Sequence, residues 1–223
     1  MMIRTLTFGL ALLLTTQNSF AITIEDVNLA LKDIYEHLHN HDESKGVDEQ
    51  RLQKHIDTLE LATQEMEFDA PNYKKLLTAQ LEAATAINNK LRFAELPYEV
   101  SQVQKLLDNL DILKQTTDIY LGDLEFTAGH IAAHQLNNQS LAHRYWSNCG
   151  RQKYAGCMNI LATSYETGQF SEAVDLDKAV YWHSQVVATG TRWSCAGTYS
   201  ARRLAILNET GVDTEKPTSH WLQ

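Results

Sequence analysis

The octapeptide LATSYETG at positions 161 to 168 recurs as LAILNETG at 204 to 211, with five of eight residues identical. VDLDK at 174 to 178 likewise recurs as VDTEK at 212 to 216. The offsets are 43 and 38 residues, because Gln169 to Ala173 form an insertion that the second copy lacks. Such a period is that of a helical hairpin, a unit that buries its apolar face only by stacking on a neighbour. The recurrence therefore predicts short helices, repeated in series, over the second half of the chain.

Several residues in and after the first copy have physical roles in a hairpin stack. Ala162 and Ala179 are small enough to let two helices approach closely, while Tyr165 and Trp182 fill the space between hairpins. Gly168 and Gly190 stand where a helix ends and a left-handed backbone is needed.

The pattern Leu161-Ala162, Tyr165, Gly168, Val174, Asp177, Lys178-Ala179, Trp182-His183 and Gly190, with Cys157 at the first small-residue position, resembles the Sel1-like repeats, a branch of the tetratricopeptide superfamily. Ala142 and Tyr145-Trp146 fit the second helix of a preceding unit, and Leu121-Gly122 its first. Leu204-Ala205, Gly211-Val212 and Lys216 continue into a truncated third unit, where Asn208 replaces the tyrosine and Pro217 the alanine. The resemblance covers about residues 118 to 222 and implies an α/α solenoid that binds other proteins.

The first half differs in composition. Residues 22 to 115 hold 10 Lys and Arg against 18 Asp and Glu, with one glycine and no cysteine or tryptophan. Residues 116 to 223 hold eight glycines, all three cysteines and all four tryptophans. Few glycines mean few turns and long helices. Ile24, Val27, Leu31, Ile34 and Leu38 follow helical spacing, as do Leu52, Ile56, Leu59 and Met66. A third stripe, opened by Asp69 ahead of Pro71, carries Tyr73, Leu77, Leu81, Ala84, Ile87 and Leu91. A fourth starts at Pro97 and uses Val100, Val103, Leu107 and Leu110. Apolar residues nowhere alternate over the length of a strand. The predicted fold is all-α, antiparallel helical hairpins throughout, with an acidic helical region at 22–115 and Sel1-like repeats at 116–223.

Residues 1–21 read as a secretory signal peptide: Arg4, an apolar run from Leu6 to Leu14, and small residues at 19 and 21. Cleavage is expected between Ala21 and Ile22, delivering the mature chain to the periplasm or the exterior with no membrane span. Loss of Arg4 makes the formal net charge of −9 one unit more negative. That charge excludes nucleic acid as a partner, since the basic pairs Lys74-Lys75 and Arg202-Arg203 have no basic neighbours to track a phosphate backbone.

Cys149 and Cys157 are open to three readings by spacing: metal site, redox pair or staple. The repeat assignment puts a turn at Arg151 to Gly156, across which two sulfurs can meet, and a cysteine-containing secreted branch of the Sel1-like family is similar in bonding pairs at this spacing. A metal site needs two further ligands and a redox pair normally reads C-x-x-C. An oxidising compartment favours the bond. Val186 and Val187 occupy the positions that would partner Cys195, which is expected to be free and buried.

His37, His39 and His41, followed by Asp42 and later His55, form the one cluster of metal-ligating types. On a helix His39 points away from the other two, so the run reads as a solvated helix end rather than a ligand set. No nucleophile, zinc or phosphate-loop motif occurs, no cofactor motif is present, and Ser-x-x-Lys is absent. The chain is expected to be a protein-interaction module, an adaptor or assembly factor serving an envelope-located protein. An immunity or inhibitor protein is the alternative among binders, and a cell-wall-acting or β-lactam-binding enzyme the alternative among catalysts. Trp193, Tyr199, Arg202 and Arg203 combine residue types enriched at interface hot spots, outside the positions the repeat uses for packing, and are the expected partner contact. The same residues would otherwise cover the end of the solenoid.

Overall fold

A computed structural model describes residues 22–39, 46–93, 100–170, 173–190, 195–212 and 214. Among them are nine helices and no strand: α1 (Ile24–His39), α2 (Glu49–Glu65), α3 (Ala70–Phe93), α4 (Val100–Thr116), α5 (Gly122–His134), α6 (Gln139–Arg151), α7 (Ala155–Thr167), α8 (Leu176–Ala188) and α9 (Cys195–Glu209). The all-helical expectation holds. The first four helices run to 16, 17, 24 and 17 residues, whereas α5 to α8 have 13 each, as the glycine distribution implies.

Side-chain caps set several starts. Thr23 and Asp26 satisfy each other's backbone N–H groups ahead of α1, at 3.2 and 2.9 Å. Asp48, Asp69, Asn138 and Asp175 each accept the N–H three residues on, at 2.9 to 3.0 Å. The Asp69 cap is the one read from sequence. Gly168 and Gly190 are left-handed at φ 73° and 74°, as the repeat requires. Pro97 lies outside the described residues. Ile24 and Val100, expected on apolar stripes, are 46% and 40% exposed, because each is the first residue of its helix and overhangs its neighbours.

Each helix packs on the next in sequence from α1 to α4 and from α4 through α9. The odd-numbered helices also pack in series, α1 on α3, α3 on α5, α5 on α7 and α7 on α9. They thus form one layer, flanked by the even-numbered helices. The predicted core residues Leu161, Ala162, Tyr165, Ala179 and Trp182 are all buried, as are Ala142, Tyr145 and Trp146. Gly129 allows the closest approach: a Cβ there would lie 2.5 Å from Trp146 Cδ1.

The compositional break near residue 115 does not break the packing. One buried apolar cluster runs from Val27 to Val186. Polar bonds cross the same point: Lys114 to Glu125 and Lys74 to Asp123 at 2.8 and 2.7 Å, and Asn88 to Gln135 at 3.1 Å. Cys149 on α6 and Cys157 on α7 are disulfide-bonded, their Cα atoms 6.0 Å apart. Cys195 is free, as expected, but exposed rather than buried, since it opens α9 at the edge of the stack. Among the described residues no helix is long and apolar enough to cross a membrane.

Candidate functional site

The four residues expected to meet a partner divide into different environments. Trp193 lies outside the described residues. Tyr199 is 40% exposed and tilts against the His183 ring, centroids 6.0 Å apart. Arg202 is exposed on α9. Arg203 instead turns inward, Nε donating to Glu166 Oε2 at 3.1 Å and Nη2 to Oε1.

Glu166 belongs to a buried network that sequence reasoning missed. Its Oε2 stands 3.3 Å from His183 Nε2, and His183 Nδ1 stands 3.0 Å from Ser200 Oγ. Ser200 in turn donates to Asn159 Oδ1 at 3.1 Å. The helical spacing puts Asn159 and Glu166 of α7 seven positions apart on one face, opposite Ser200 and Arg203 of α9, with His183 of α8 between them. Burial pushes the His183 imidazole down to about 4. A serine, an imidazole and a carboxylate in line suggest nucleophilic chemistry, but Ser200 and His183 have no exposed surface, so a substrate atom has no approach to the hydroxyl in this conformation. The network's evident work is to hold α9, whose own buried residues are Gly197, Ser200 and Leu207.

A concavity lies at the other end of the odd-helix layer, between α1 and α3, with Asp123 of α5 on its lining. It encloses about 390 Å³. Leu31, Ile34 and Ala79 supply apolar surface, and Tyr35, Lys75 and Glu82 supply functional groups. Tyr35 is 59% exposed, its ring held edge-on against His39 at a centroid distance of 4.6 Å. His39 Nε2 is 3.9 Å from Glu82 Oε2. Burial pushes the Glu82 carboxyl above its usual range; His39 opposes that shift and Asp123 adds to it. The Asp123 charge is itself matched by Lys74 at 2.7 Å.

The histidine run does not converge. His37 Nε2 accepts from the Asp48 N–H at 2.9 Å, His39 faces Glu82, and His55 Nε2 lies 2.5 Å from Asp33 Oδ2. Asp33 is drawn down to about 2, first by its bond to Arg51. His41 and Asp42 lie outside the described residues, and no group of three metal-ligating side chains occurs among those that are described.

No family model, curated protein or solved structure matches the chain. The Sel1-like resemblance therefore rests on the repeated residues themselves.

Proposed function

We propose that the chain works in the cell envelope as a protein-interaction module, an adaptor or assembly factor built as an α/α solenoid of Sel1-like hairpins and exported by residues 1–21. The observation that carries this reading is the serial packing of α1, α3, α5, α7 and α9 into one layer, a geometry that presents an extended face assembled from many helices. The Cys149–Cys157 bond supports an oxidising compartment, where such a bond persists. Net negative charge supports a basic partner and an association weakened by salt. An immunity or inhibitor protein would use the same face to cover a toxic envelope enzyme.

Capture with the tagged mature protein from envelope extract, identified by mass spectrometry at low and at raised salt, tests the reading. Specific recovery of an envelope protein, reduced by salt, is the expected result. Turnover of labelled peptidoglycan or nitrocefin by the purified protein would replace it with the catalytic alternative.

A further inference from the structure

We propose that the groove between α1 and α3 receives one lysine or arginine side chain of a partner protein, its alkyl stem lying on Leu31 and Ala79 and its cationic head meeting Glu82 beside the Tyr35 ring. This names the partner chemistry for the interaction module and rests on that reading.

The groove is within the size range of sites that enclose a small ligand, and its floor is apolar. An alkyl stem satisfies that floor. Glu82 is a half-buried carboxylate whose described salt-bridge neighbour, His39, is 3.9 Å away and cationic only when protonated. Of the two lysines on the groove, Lys74 is engaged with Asp123 and Lys75 lies seven positions before Glu82 on α3. Glu82 has thus lost part of its hydration without gaining a permanent counter-charge, and a guanidinium or ammonium supplies one. The exposed Tyr35 ring offers the same head a cation–π face. An anion would meet both Glu82 and Asp123, and a neutral side chain would leave Glu82 as it stands.

Lys75 restricts the choice further. It lies on the same groove seven positions before Glu82, about 10 Å along the α3 axis. A second basic residue at that distance is repelled and an acidic one attracted. The fitting segment carries a single basic residue with neutral or acidic neighbours, rather than a polybasic run.

Two probes isolate the charge: N-acetyl-arginine amide and N-acetyl-citrulline amide, which share a stem and differ in the charge of the head. Titrated into the mature protein and followed by amide NMR, the arginine probe is expected to shift the signals of Tyr35, Ala79 and Glu82, and to bind about 10-fold more tightly than citrulline. Glu82→Gln should bring the two probes within about 2-fold of each other, and Tyr35→Ala should weaken the arginine probe about 3-fold. Because Tyr35 is mostly exposed, its variant provides a check that does not depend on the folding of Glu82→Gln. Equal response to the two probes, shifts that map elsewhere, or no shifts would overturn the proposal. Envelope proteins captured equally by wild type and Glu82→Gln would also remove the groove from the account, while leaving the interaction module in place.

Discussion

Acidification should loosen the protein through His183, and the size of the effect follows from its burial. The imidazole is completely buried, with Glu166 of α7 and Ser200 and Tyr199 of α9 against it. Glu166 would hold it cationic if its charge were unspent. Arg203 already donates two hydrogen bonds to that carboxylate, so the dominant influence left on the imidazole is the cost of desolvating a cation. Its folded value is accordingly about 4, against 6.5 for the free side chain.

A histidine lowered in the folded state refuses a proton that the unfolded chain accepts. The contribution of the neutral imidazole to stability is therefore full above pH 6.5, falls as the pH drops toward 4, and is gone below the folded value, where the loss levels off. At about 1.4 kcal/mol for each pH unit the loss amounts to about 3 kcal/mol. Urea unfolding followed by circular dichroism, from pH 7 to pH 4, measures it against His183→Gln. Carboxylates titrate in both proteins, so the difference between the two curves isolates the imidazole. Wild type should lose about 3 kcal/mol more than the variant across that range. Parallel curves would mean that His183 meets water in solution. A wild type that gains on the variant as the pH falls would mean that Glu166 keeps the ring charged, and either result refutes the reasoning.

Non-reducing peptide mapping should find Cys149 joined to Cys157 and Cys195 as a thiol open to a water-soluble reagent in the native protein; a bond from Cys195 to either partner would overturn the repeat assignment. Reduction of the bond should cost about 2 to 3 kcal/mol in urea unfolding, from the short loop it closes. Gly129→Ala should destabilise the protein by about 1 to 3 kcal/mol, because its methyl group meets the Trp146 ring; a change near zero would show that α5 and α6 separate freely. Arg202→Ala should alter stability by less than about 0.5 kcal/mol, whereas Arg203→Ala, which strands Glu166, should cost about 2 kcal/mol. Equal effects would break the assignment of Arg203 to the Glu166 ion pair.

The helices were legible because their signals are local. Apolar spacing of three and four, a capping aspartate, and a glycine with positive φ each act within one or two turns. Leu161 could be placed in the core because it recurs as Leu204, and Tyr165 and Trp182 because they are large aromatics at helical spacing around the repeated block. Contacts between elements were not legible. Arg203 and its neighbour Arg202 are alike in sequence, and what separates them is Glu166, which lies 37 positions away from Arg203. The α1–α3 groove was equally hidden: Tyr35, Lys75 and Glu82 look like ordinary surface residues until two helices 31 positions apart at their nearest ends lie side by side. The composition break near 115 misled in the other direction, since helix length responds to glycine content while packing between helices responds to side-chain shape.

A stack of helices has two ends, and this one closes them by different chemistry. At the first, α1 buries Val27, Ala30 and Ile34 against its neighbours. Beside that apolar seam Asp33 reaches Arg51 and His55 of α2, so charge contributes at this end as well. At the other, Leu207 is the one large apolar side chain that α9 buries, and the rest of its attachment runs through Ser200 and Arg203 to His183, Asn159 and Glu166. A polar attachment has directional bonds but little burial to lose, so opening of α9 depends on the protonation of His183. The two groups lie at opposite ends of the odd-helix layer, so a partner held at Glu82 and a helix held at His183 can be perturbed one without the other by substitution.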